Sequence, residues 1–353
     1  MNVLSNTNKT SRIFGFDFAK CICALLIIFY HYACHTISEF RFFYYTVNAY
    51  SWGGVLNTVF FAVSGASLYY KYQSFSSWHS VKVFWYKRWK SLFPMFYICF
   101  LFFFTISAIS NHKLFFGPAP STLILSVFGI DGYCLNYFPT YYQVGERFIG
   151  AIIFLYIIYP LLLFLMNKCR YCIPVTLFIG YLIMTQTSFF TITPSFNLIS
   201  CTGSFYAGIL FMKHFDSVFN NKTLCIVSVI VFLLLLTVKL PIDGRYKIVV
   251  FQLHGLSLLL VAYYLGEYLK STKSQVFFTF LSKLTYPIFL IHHQVILRIL
   301  KVYDPINPFL EFCMIFAVTA ITVVCAKLLS IITNKLLKSK FFVKLENKLI
   351  IKS

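Results

Sequence analysis

Lys20 and His31 stand eleven residues apart in one long apolar run, FGFDFAKCICALLIIFYHYACHTIS, residues 14–38. On a helix turning about 100° per residue they fall roughly 20° apart around the axis, and Asp17 and His35 fall within roughly 60° of them. Four ionisable groups therefore share one stripe. A charged side chain at the centre of a membrane helix costs about 2.5–3.5 kcal/mol on insertion scales, so a stripe of four is expected to line a polar cavity. A solvated terminal turn accounts for Asp17 and in part for His35, but poorly for Lys20 and His31. Imidazole titrates near neutrality and suits general acid–base work. An ammonium suits a phosphate or a developing oxyanion. At about 1.5 Å rise per residue the two lie roughly 16 Å apart along the axis. That separation suggests a donor arriving from one side and an acceptor from the other.

Four other stretches carry residues of chemical interest. Phe60-Phe61-Ala62-Val63-Ser64-Gly65-Ala66-Ser67 holds a hydroxyl, Ser64, among small residues that would equally serve close helix packing. Trp85-Tyr86-Lys87-Arg88-Trp89-Lys90-Ser91-Leu92-Phe93-Pro94 sets Lys87, Arg88 and Lys90 among aromatics, as a loop that anchors a helix at the interface or binds phosphates. Gly145-Glu146-Arg147 offers a carboxylate that could pair with Arg147, cap a helix or serve a site. In Tyr286-Pro287-Ile288-Phe289-Leu290-Ile291-His292-His293-Gln294 two histidines lie mid-span about 100° apart, so one of them is expected to face the His31 cavity. His31 and His35 have the i, i+4 spacing of zinc ligands, but the chain has no HExxH sequence, and no metal is expected. The eleven cysteines read mostly as small buried hydrophobes, the lone Cys169-x-x-Cys172 included.

Elements that position such residues must lie in a bilayer. Of 353 residues 59% are hydrophobic and 11% charged, against about 25% charged in soluble domains. The expected fold is all-α, a polytopic membrane protein of about ten transmembrane helices near 14–37, 53–72, 92–110, 148–167, 173–190, 198–212, 223–239, 248–269, 284–300 and 309–333. The apolar piece 121–130 is about half the length a span needs and reads as re-entrant or interfacial. With ten crossings most basic residues fall on one side, the cytoplasmic side by the positive-inside rule. Both termini are then cytoplasmic, and the net charge of +20 reflects inner loops rather than nucleic acid. No cleavable signal is expected at the N-terminus. Residues 1–334 read as one membrane domain and 335–353 as a basic cytoplasmic tail, either amphipathic on the inner surface or solvated.

Taken in order, these stretches resemble the integral-membrane acyltransferase family 3. Asp17-Phe18-Ala19-Lys20 with His31 resembles its first-helix signature, a basic residue before a His. Phe60-Phe61-Ala62-Val63-Ser64-Gly65 is similar to its FF-x-x-SG element, and Lys87-Arg88 with Pro94 to its basic loop. Gly145-Glu146-Arg147-Phe148-Ile149-Gly150 is similar to its Glu-bearing span, and Tyr286 to His293 to its late YxxFLxH element. Two positions depart: Ser91 stands where the family's second loop Arg falls, and Lys20 replaces the commoner Arg.

The resemblance implies an acetyl-CoA-dependent O-acetyltransferase of the plasma (inner) membrane. Acetyl-CoA would be cosubstrate, and the acceptor a hydroxyl of a cell-surface polysaccharide or lipid-linked glycan. His31 would be the essential base, Lys20 its basic partner and Glu146 an orienting carboxylate. Asp17, Lys87, Arg88, Lys90, Ser64, His292 and His293 would bind substrates. Rival readings from buried charge alone are a flippase of lipid-linked sugars and a proton-coupled carrier.

Overall fold

The computed structural model describes residues 12–38, 43–190, 192–340, 342–344 and 346, the side chain of Glu146 excepted. Lys9, Arg41 and most of the tail beyond Lys344 therefore lie outside the described residues. In chain order the helices are α1 (Phe14–His35), α2 (Trp52–Lys71), α3 (Trp78–Ser110), α4 (Leu123–Val127), α5 (Asp131–Cys134), α6 (Glu146–Lys168) and α7 (Cys172–Gln186). They continue as α8 (Leu198–Lys213), α9 (Phe215–Phe219), α10 (Lys222–Thr237), α11 (Lys247–Tyr268), α12 (Thr272–Ser282), α13 (Thr285–Val302) and α14 (Pro308–Leu337). No strand occurs among the described residues, so the fold is all-α.

Each expected apolar segment holds a helix. Helices α1, α3, α6, α11 and α14 are long and apolar enough to cross a membrane. Helices α12 and α13 reach that standard only when taken together, as a pair bent by 57° at their junction. Helices α7, α8 and α10 are apolar but shorter. The 121–130 piece forms a 3-10 turn, Pro120–Thr122, and the five-residue α4, too short to span. Length, apolarity and all-helical structure together make this a polytopic membrane protein.

The chain packs as two compact units. The first takes Met1–Leu26, Tyr45–Gln73 and Thr202–Lys283. Its helices approach closely through small residues. A methyl added at Gly65 would strike the carbonyl of Phe205, and one at Gly208 the carbonyl of Ala62. Dispersion between closely set helices is what holds membrane bundles together, since lipid is as apolar as the side chains.

The second unit takes Ile27–Tyr44, Ser74–Cys201 and Leu284–Ser353. Its core runs along α3, where Phe96 stacks on Phe100 at 5.9 Å and Phe100 on Phe104 at 5.8 Å. These i, i+4 pairs share one helix face. They pack with Ile28 and Tyr32 of α1, Ile288, Leu290, Ile291 and Ile296 of α13 and Val318 of α14.

Two local expectations are corrected. The basic stretch 85–94 is helix rather than loop. A Ser77/Ser80 capping box starts α3 at Trp78 and the helix continues through Pro94, because a capped, unbroken run propagates more cheaply than it restarts. Cys169 and Cys172 are bridged rather than separate thiols. The turn between α6 and α7 sets their Cα atoms 5.5 Å apart, inside the range a disulfide requires.

Candidate active site

In the second unit α1 and α13 bring four histidines together. The ring of His31 lies 4.1 Å from that of His293 and 4.9 Å from that of His292, centroid to centroid. His35 Nε2 and His293 Nδ1 share a hydrogen bond of 3.0 Å. His292 is fully buried, and its Nδ1 lies 3.0 Å from the Phe289 carbonyl and 3.1 Å from that of Ile288. Carbonyls only accept, so Nδ1 carries the proton and Nε2 keeps its lone pair. His31 Nδ1 is buried and makes no hydrogen bond among the described residues. Both histidines of the late motif therefore meet His31, where only one was expected. The His292 and His293 rings are themselves 4.9 Å apart, so the three rings pack as a triangle.

Polar ties hold this cluster's frame. Thr36 Oγ1 donates to Asp304 Oδ1 at 2.8 Å, and the Ile37 amide donates to Asp304 Oδ2 at 2.9 Å. Ser38 Oγ donates to the buried Glu311 at 2.7 Å. These bonds fix the end of α1 against α14 and the chain that precedes it. On α13, Arg298 donates to Gln294 Oε1, and its guanidinium lies 4.7 Å from the Phe103 ring centre. Gln294 donates to the Gln143 carbonyl at 2.5 Å. Glu146 opens α6 after Gly145, whose φ of 92° is a left-handed conformation that favours glycine. A methyl at Gly145 would meet Ile149 of α6 and Leu290 of α13, so Glu146's backbone starts beside α13, while its side chain lies outside the described residues.

In the first unit Asp17 is buried between two cations. Its carboxylate lies 3.0 Å from Arg12 Nε and 3.3 Å from Lys20 Nζ. Together with Ser67, Tyr70 and Lys71 these groups line a cavity of about 190 Å³. Three cations face one carboxylate, so the cavity favours an anion. Ser64 is half-buried on α2 and makes no hydrogen bond to a base among the described residues.

Lys87, Arg88 and Lys90 lie on α3 in the second unit. The Arg88 guanidinium is 5.9 Å from the ring centres of both Phe84 and Tyr156. It lines an apolar cavity of about 400 Å³ with Trp85, Trp89, Phe93 and Phe154. Lys90 Nζ is 2.6 Å from Glu346 of the tail. Trp89 stacks on Phe342 at 6.3 Å, and Phe342 is buried. The tail residues described are thus docked on the basic face of α3.

Sequence reasoning missed Arg12 as a partner of Asp17, and Gln143, Gln294 and Arg298 beside the histidines. The i, i+4 spacing of Gln294 and Arg298 was a visible signal for that pair. Gln143 gave none, because its part depends on packing from a distant stretch.

No curated protein and no solved structure matches the chain. A family model described as an acyltransferase domain matches residues 13–330, a range that takes in the histidine cluster, the Asp17 cavity and the basic face of α3. On that match the chain belongs to the acyltransferase 3 family and is a membrane acyltransferase.

Proposed function

We propose that this acyltransferase moves an acetyl group from acetyl-CoA on the cytoplasmic side of the plasma membrane to a hydroxyl of a cell-surface polysaccharide or lipid-linked glycan. The observation that carries it is His31. Its ring packs beside both His292 and His293, and its buried Nδ1 makes no hydrogen bond among the described residues, which supports a role toward an acceptor hydroxyl. His31 removes the acceptor hydroxyl's proton as the oxygen attacks the thioester carbonyl. A C–O bond forms, the C–S bond breaks, and the thiolate of CoA leaves and takes up the proton. His293 and His292 hold the imidazole in place, and Glu146 orients it or binds the sugar.

Donor phosphates are assigned to basic groups. Lys20, with Asp17 setting its position, serves the donor's side, and so do Lys87, Arg88 and Lys90 on α3. Ser64 contributes to substrate binding through its exposed portion. Both termini face the cytoplasm.

The test is mass spectrometry of surface glycans from cells with and without the gene. The reading expects glycans heavier by one acetyl group only when the gene is present, and label transferred from acetyl-CoA in isolated membranes. Unchanged glycan mass together with altered movement of a lipid-linked sugar would contradict it and favour a flippase.

A further inference from the structure

Three of the histidines offer nitrogens that all lie within 4.8 Å of one another: His31, His292 and His293. Zinc–imidazole bonds of about 2.0–2.1 Å set tetrahedral ligand nitrogens roughly 3.3 Å apart. Closing the cluster onto an ion therefore needs ring movements on the order of an ångström. Two further features match what surrounds metal-bound histidine. A ligating imidazole gives its other ring N–H to a carbonyl or similar acceptor, which fixes the tautomer. His292 Nδ1 does so to the Phe289 and Ile288 carbonyls, which turns the Nε2 lone pair to the ligand role. His293 Nδ1 shares a 3.0 Å hydrogen bond with His35 Nε2, and the tautomer in which His293 donates that bond gives His293 the same kind of outer-shell partner. A donor set of imidazoles suits zinc, copper or nickel and not magnesium or calcium.

We infer that His31, His292 and His293 form a three-histidine site for one divalent transition-metal ion of the zinc class, supported by His35, and that the ion competes with catalysis. The competition rests on the assignment of His31 as base: a metal on His31 occupies the lone pair that would accept the hydroxyl proton. No bond of the substrate changes on binding. The ion exchanges with solvent and the imidazoles stay neutral. The cluster is thereby a place where metal outside the donor and acceptor sets the activity. This departs from the expectation of no metal, which rested on the missing HExxH sequence. Here two of the three ligands come from a helix more than 250 residues away in sequence, beyond the reach of any local motif.

The test uses the full-length protein purified without a polyhistidine tag, titrated with zinc chloride in the absence of donor and acceptor. Elemental analysis and calorimetry are expected to show one equivalent bound, with no competition from magnesium. His31→Ala and His292→Ala should each lower affinity more than about tenfold. His35→Ala, which leaves all three ligands, should weaken it by about 10–100-fold. Monodisperse elution of each variant shows that it is folded. Acetyl transfer by the unaltered protein should fall as the site fills and return on adding a chelator. No stoichiometric binding by the folded protein, or binding unchanged in both ligand variants, overturns the site. Transfer that requires zinc and is lost on chelation overturns the competition. Because binding is read without substrates, its failure leaves the acetyltransferase reading standing, and failure of that reading leaves the binding result standing.

Discussion

Asp17 illustrates how one residue settles the charge on an otherwise apolar helix. It is 2% exposed and contacts Arg12 and Lys20. Asp17→Asn leaves Lys20 uncompensated and should cost about 3 kcal/mol. Arg12, whose side chain is 45% exposed, should lose less than about 1 kcal/mol on Arg12→Ala. Thermal melts of the two variants in one detergent check the order; equal losses would contradict it. The Asp17–Lys20 pair was legible from i, i+3 spacing, whereas Arg12 precedes the helix and its reach to Asp17 needed coordinates. A second buried acid, Asp131, lies between α3 and α6. Burial pushes its carboxyl up, while hydrogen bonds from Ser126 and the Gly132 amide pull it back. A raised folded-state value means that its contribution to stability is full at low pH and is lost as pH rises through that value. Asp131→Asn should therefore melt at or above the parent at neutral pH, with the difference closing in acid.

Helix pairs carry the second layer of specificity. Gly65 and Gly208 let α2 and α8 approach until a methyl on either would strike the other's backbone. Gly208→Ala should destabilise by about 1–3 kcal/mol, measured as a lower melting midpoint; an unchanged midpoint would contradict the close approach. The sequence showed small residues around Ser64 and left packing and chemistry as alternatives. The partner was invisible because it comes from α8, far along the chain. Helix α3 failed the loop expectation for a different reason: basic heads and aromatics suggested an interfacial turn, but nothing between Ser77 and Pro94 breaks a helix. The same helix receives the tail through Lys90 and Glu346. If Lys90 serves donor phosphates, Glu346→Gln frees it. The KM for acetyl-CoA should then fall about fivefold, the equivalent of about 1 kcal/mol. An unchanged KM would remove Lys90 from the donor's side.

Across the whole molecule, hydropathy located every apolar helix, but charge order alone supplied the orientation. Helix lengths explain the difference in certainty between spans. The long helices α3 and α14 announce themselves, while α7, α8 and α10 are shorter than a bilayer's usual crossing, and α12 and α13 reach the apolar length of a span only when taken together across their bend. The ten-crossing arrangement predicts that an alkaline phosphatase fusion after Lys113 is active and one at the C-terminus is not. The reverse pattern would invert the topology. The histidine cluster was half legible. His31 and His35 share a stripe that spacing reveals, and one histidine of the late motif was expected to face it, but that both His292 and His293 meet His31 depends on how α1 packs on α13.

The central claim is that His31 is the base. Its most direct test is transfer of labelled acetyl from acetyl-CoA to glycan in membranes holding equal amounts of the parent protein and of His31→Ala. The account predicts no transfer above background for His31→Ala, with the variant present and folded at parental levels. Transfer retained in that variant would contradict it.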